Sequence, residues 1–268
     1  MNRIDKALTR LHNSGLKMLS PYLTAGDPEP GMTVELMHHL VDAGADILEI
    51  GIPFSDPMAE GPVIQAAMER ALAYGVSCDD VLAMVRNFRE KDSETPIILM
   101  GYLNPIEQYG YSQFAKAAAL AGVDGTIIVD LPPEESDDVE PIWRDAGLHS
   151  IYLCSPTTDD DRMQLINQFG SGYLYYVSLK GVTGSNAIDL DAVQSMYQAR
   201  KLQTTLPLMV GFGIKNADMA AKVASFADGV IVGAALIEAI HSAYLNKTDP
   251  LDAGATLIRS MRHEMDKL

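Results

Sequence analysis

The chain has 268 residues, 47% of them apolar and 21% charged, a balance that excludes a disordered or collagen-like polymer and demands a buried core. Twenty Lys and Arg against 36 Asp and Glu leave a formal charge of −16, a field that repels nucleic-acid phosphates and anionic membranes. Two cysteines, Cys78 and Cys154, form no C-x-x-C pair, so neither a disulfide framework nor a thiolate metal site is indicated. The first residues lack the apolar stretch of a secretory signal, and the longest apolar run, 229–237, is far short of a membrane span. A cytoplasmic chain is expected.

Along the chain, short apolar runs rich in β-branched residues fall at 18–23, 47–50, 97–100, 126–129, 151–153, 173–177, 208–210 and 230–232. They read as eight strands buried on both faces, because a parallel sheet covered by helices gives continuous rather than alternating hydrophobicity. The segments between them carry helical period. Val81, Met84, Val85 and Phe88 make one apolar stripe, as do Val139, Ile142, Trp143 and Ala146. Glycine closes a helix just before a strand at Gly44, Gly122 and Gly147. With no linker or composition break, the expectation is an α/β chain forming one domain over 1–268. Eight strand–helix units fit a (β/α)8 TIM barrel with extra helices better than a doubly wound sheet.

In such a barrel chemistry sits where strands end and loops lead into helices. Glu49 lies inside the second strand, and period-2 alternation puts it on a face with Ile47 and Gly51. A carboxyl facing the barrel interior near its mouth would have a raised pKa suited to acid–base work; the alternative is a Glu paired with a neighbouring cation. The Pro-rich loop that follows, 53–62, supplies Glu60 as a second carboxylate, or as an acid complementing a helix N-terminus. Glycine-bearing junctions after the sixth, seventh and eighth strands, at 181–184, 211–213 and 233–235, suit a phosphate cradled by backbone N–H groups. None of the six histidines ends a predicted strand and there is no H-x-H or H-E-x-x-H, so no catalytic metal is expected.

Five segments, 21–28 (PYLTAGDP), 48–57 (LEIGIPFSDP), 130–132 (DLP), 181–184 (GVTG) and 211–214 (GFGI), together and in order resemble the tryptophan synthase α chain family over nearly the whole length. The resemblance implies a TIM barrel that cleaves indole-3-glycerol phosphate to indole and glyceraldehyde 3-phosphate. Indole would pass to a β chain carrying pyridoxal phosphate, in an α2β2 heterotetramer, with no cofactor in this chain. Carried onto this sequence, the family's catalytic groups fall on Glu49, Glu60 and Tyr175. The phosphate site falls on Gly184, Gly213, Gly233, Ala234 and Ala235, and the indole pocket on Tyr22, Ile64, Leu99, Ile127 and Phe212. Pro53, Asp56, Asn104 and Pro132 are the expected partner surface, and Thr183 belongs to a candidate lid over 179–191. The chain departs from the family pattern in carrying Glu60 for the commoner Asp, Ala234 for a frequent Ser and Leu179 for an Arg of some members. Two other readings stay open: a catalytically weakened subunit that activates a β chain, and another phosphosugar-processing barrel enzyme.

Overall fold

The computed structural model describes residues 1–177, 190–211 and 213–268. Its strands are β1 (Met18–Thr24), β2 (Leu48–Gly51), β3 (Ile97–Gly101), β4 (Gly125–Ile128), β5 (His149–Ser150), β6 (Leu153–Cys154), β7 (Leu174–Val177), β8 (Leu208–Gly211) and β9 (Gly229–Val232). All pair in parallel, in the order β5-β4-β3-β2-β1-β9-β8-β7-β6.

The two ends of that order belong to one passage of chain. The Ile151 N–H donates to the Thr126 carbonyl at 2.9 Å, and the Tyr175 N–H donates to the Tyr152 carbonyl at 3.0 Å. Residues 149–154 therefore bond to β4 with their first half and to β7 with their second, and the sheet closes on itself. The fifth predicted strand is interrupted at Ile151 and Tyr152 as it changes neighbours, which is why eight expected strands appear as nine.

Closure sorts the apolar side chains into two cores. Leu19, Leu23, Leu48, Ile50, Leu99, Leu174, Val210 and Val230 pack outward against the helices. Met18, Tyr22, Ile47, Ile98, Met100, Ile127, Ile151, Tyr173, Met209 and Ile231 fill the barrel. The predicted stripe of Val81, Met84, Val85 and Phe88 lies buried on the helix Cys78–Arg89. Helix Arg3–Ser14, capped by the Asn2 side chain on the Ile4 N–H, pushes Ile4, Leu8 and Leu11 into the barrel at the end where strands begin. The plug fills that end of the barrel, and the loops that follow the strands lie at the other.

The plugged end is held by a repeated device. Gly44 and Gly122 adopt φ of +105° and +93°, a left-handed turn that costs glycine no Cβ clash. A Cβ there would also strike an arginine stem, Arg262 over Gly44 and Arg89 over Gly122. Two residues on, an aspartate accepts an N–H at the start of the preceding strand: Asp46 from Leu19 at 3.1 Å and Asp124 from Ile97 at 2.9 Å. The same arginines then pair with those carboxylates, Arg262 with Asp46 at 3.2 Å and Arg89 with Asp124 at 2.9 Å. Asp228 repeats the bond to Leu208 at 2.8 Å with Lys201 as its cation at 2.7 Å.

Candidate active site at the barrel mouth

Glu49 is fully buried in β2. Its Oε1 accepts the Tyr173 hydroxyl at 2.6 Å and the Ser20 hydroxyl at 3.3 Å, while Oε2 is buried with no hydrogen-bond partner. Burial pushes the carboxyl up to about 7 against the pull of those two hydroxyls. An ion in so dry a site is stabilised poorly, so near neutrality the group exists in both protonation states.

Glu60 sits at the end of the loop that β2 feeds. Its N–H donates to the Pro57 carbonyl at 3.0 Å and its carbonyl accepts the Gln65 side chain at 2.9 Å. The Tyr102 ring stacks on Phe54 at 5.2 Å, and its hydroxyl accepts the Ala59 N–H at 3.1 Å. The loop is thus fixed on both flanks of Glu60. Burial pushes this carboxyl too up to about 7. Among the described residues no cation pairs with Glu49 or Glu60.

Two phenols join the carboxylates. Tyr22 on β1 stands beside Glu49 in register, and Tyr175 lies on β7. Both have ionisation suppressed, first by burial and then by the negative charge of both Glu49 and Glu60. Each phenol occupies a space that exists because its neighbour is glycine. A Cβ on Gly51 would lie 2.1 Å from the Tyr22 hydroxyl, and one on Gly211 would lie 2.1 Å from that of Tyr175.

Across the opening, Gly233 precedes the helix Ala234–Leu245 and supplies no side-chain cap; the Leu236 N–H already donates to the Gly233 carbonyl at 2.9 Å, while the N–H groups of Ala234 and Ala235 stand too early in the helix to have an intrahelical acceptor. Gly213, at φ +84°, lies on the neighbouring loop. A Cβ on Gly233 would sit 3.6 Å from Ile64 and 3.7 Å from Tyr22, so this helix start adjoins the interior cluster. A helix N-terminus with bare amides favours an anion.

The family model described as tryptophan synthase alpha chain matches residues 8–266. Curated relatives of that name include one from Legionella pneumophila (strain Lens), 66% identical over all of this chain and 98% of its own. Another, from Marinobacter nauticus, is 53% identical over all of this chain and 99% of its own. A crystal structure of tryptophan synthase subunit alpha from Legionella pneumophila str. Paris superposes with a TM-score of 0.96 at 64% identity, covering all of both chains. The chain belongs to the tryptophan synthase alpha chain family. Its fold is that family's TIM barrel, and its reaction is the family's, the lyase cleavage of indole-3-glycerol phosphate in tryptophan biosynthesis. A chain of the mutually activating tryptophan synthase α2β2 complex from the hyperthermophile Pyrococcus furiosus superposes at TM-score 0.84 with 34% identity, covering 92% of this chain and 98% of its own.

Within this alpha chain, Glu49, Tyr22 and Ile127 face the interior, with Tyr175 and Ile64 packed against the same cluster. Leu99 does not join them. It packs on the helix-facing side of β3, and its neighbours Ile98 and Met100 point inward; the expectation for Leu99 fails because alternation along a strand makes a one-residue offset a change of face. Met100, which the sequence reading missed, follows from the register of Gly51 with Met100. At the mouth Asp56 and Asn104 are exposed and Pro132 is half-buried, whereas Pro53 is buried and shapes the loop from beneath. Thr183, Gly184 and Phe212, with Gly181, Leu179 and nearly all of the candidate lid, lie outside the described residues. Among the described residues no cluster of His, Cys, Asp and Glu could hold a metal ion, and no helix is long and apolar enough to cross a membrane.

Proposed function

We propose that Glu49 is the acid–base group of the alpha reaction and that Glu60 stabilises the charged indole intermediate. The carrying observation is a pair of carboxyls, without a paired cation among the described residues, at the end of the barrel where the strands finish, both raised to about 7 by burial. Protonation of indole C3 by the Glu49 acid turns the ring into an iminium, which a carboxylate at the ring N–H, Glu60, stabilises. The glycerol hydroxyl next to the scissile bond then gives up its proton to the Glu49 carboxylate. Its electrons form the aldehyde carbonyl, the carbon–carbon bond breaks, and the bonding pair returns to the indole ring. Proton count and charge balance, and one carboxyl serves both directions because its pKa lies near the working pH.

Tyr175 closes the interior beside the two acids. The indole ring fits against Tyr22, Ile64, Ile127 and Met100, with Phe212 added by family resemblance. Substrate phosphate is assigned to the backbone of Gly213, Gly233, Ala234 and Ala235, with Gly184. The loss of a hydroxyl at Ala234 leaves its N–H in place. We further read the 268 residues as one cytoplasmic domain that assembles with a β chain through the surface bearing Asp56, Asn104 and Pro132. Pyridoxal phosphate belongs to that β chain, and this chain works without a cofactor.

Purified chain supplied with indole-3-glycerol phosphate, alone and with a β subunit, should release indole in both cases and faster with the partner. Background release in both samples would overturn the catalytic assignment. Stimulation of β activity without indole release would instead identify a regulatory subunit.

A further inference from the structure

Ser20 is an interior residue with no apparent reason to be polar. It is fully buried in β1, on the same face as Met18 and Tyr22, in a barrel lined at this depth by Ile47, Ile98, Met209 and Ile231. A hydroxyl in an apolar layer costs free energy unless it finds a partner. Ser20 finds Oε1 of Glu49, at 3.3 Å. The same oxygen accepts the Tyr173 hydroxyl at 2.6 Å, and Oε2 has no hydrogen-bond partner.

The register makes the arrangement directional. Tyr22 stands level with Glu49 on β1, so Ser20, two residues earlier on the same face, belongs to the next layer toward the plugged end. Tyr173 likewise precedes Tyr175 by two residues. Both hydroxyls reach the carboxyl from below, and the Tyr22 hydroxyl at its own level is engaged with Thr24 at 3.2 Å.

We propose that Ser20 is a positioning residue for Glu49: with Tyr173 it tethers Oε1 from beneath and leaves Oε2 as the oxygen that exchanges a proton with substrate. The proposal rests on Glu49 being the acid–base group. The titratable groups facing Glu49 from its surroundings are Tyr22 on β1 and Tyr173 and Tyr175 around β7, with Glu60 coupled to it through the shared influence on Tyr22 and Tyr175. A hydroxyl that donates to a carboxylate favours the charged form, so removing one raises the pH at which the carboxyl ionises.

The test is a titration of the Glu49 carboxyl in the ligand-free protein, followed by infrared difference spectroscopy against Glu49→Gln, for the parent, Ser20→Ala, Ser20→Thr and Tyr173→Phe. Ser20→Ala should raise the midpoint by about half a pH unit, Tyr173→Phe should raise it further, and Ser20→Thr, which keeps the hydroxyl, should return it close to the parent value. The kcat–pH profile for indole release should move alkaline by the same interval with KM little changed. An unmoved midpoint in Ser20→Ala, or a Ser20→Thr protein indistinguishable from Ser20→Ala, overturns the proposal. A midpoint that shifts while the rate profile stays still overturns the role of Glu49 on which the proposal stands, and leaves the Ser20 contact intact.

Discussion

The two ends of this barrel treat their acids in opposite ways. At the plugged end Asp46, Asp124 and Asp228 each accept a strand N–H and each have a cation within 3.2 Å. Burial pushes Asp46 up, but the Leu19 N–H, Arg262 and Arg10 pull it back. At the mouth, among the described residues, Glu49 is held by hydroxyls and Glu60 is in no ion pair, and both are raised to about 7. A carboxylate that has both a cation and an amide is a fastener. One held by neutral groups can gain and lose a proton at little cost, which is what acid–base chemistry requires. The Asp27 carboxylate, at the mouth end but fixed by Arg70 at 2.6 Å, shows that position alone does not decide the role.

The largest expected consequence is at the mouth. Glu49→Gln should lower kcat for indole release by about 10³-fold or more while the protein still binds a phosphate-bearing ligand; normal turnover would erase the contrast between the two ends. At the other end Asp124→Ala leaves Arg89 and Arg3 without their carboxylate and the Ile97 N–H without its acceptor. It should cost about 4 kcal/mol of unfolding free energy in urea with kcat nearly unchanged. The third effect is a pH dependence with a definite sign. Below pH about 4.5 the Glu49 carboxyl is protonated in both folded and unfolded chains; between there and about 7 only the unfolded chain ionises. Stability therefore falls as pH rises through this window, by on the order of 3 kcal/mol for Glu49 alone. Glu49→Gln should flatten the slope in urea titrations run at successive pH values.

Smaller changes sharpen the comparison. Gly51→Ala drives a methyl into the Tyr22 phenol and should cost about 100-fold in kcat/KM through displaced pocket groups, partly recovered by adding Tyr22→Leu. On the outer surface Asp218→Ala breaks an exposed pair with Lys222, and the midpoint of urea unfolding should report a change within about 0.5 kcal/mol.

Much of this architecture is legible in the chain. Seven of the eight predicted strands coincide with single observed ones to within a residue or two, because a strand buried on both faces leaves a continuous apolar run. The fifth reads as one strand and folds as two, since nothing in a run of Ile, Tyr and Leu records the point at which the chain exchanges one neighbour for the next. Glu49 is legible because a carboxylate inside such a run has few explanations. Glu60 reads in the sequence either as a second mouth carboxylate or as a helix-start acid, and what favours the first is that no cation pairs with it among the described residues. Leu99 failed by one position, where facing depends on a register that strand composition does not carry. Ser20 left no signal: a serine amid apolar residues gains meaning only when folding brings β1 beside Glu49.

The seats at Gly51 and Gly211 bear on how this pocket could be reshaped. Each tyrosine rests against a glycine on the adjacent strand, so trimming either ring would uncover a hollow on that side that the glycine has no side chain to fill. A substrate bearing an extra substituent on its aromatic part could use that hollow. Enlarging the pocket is then a matter of one substitution, whereas shrinking it from the glycine side demands two made together.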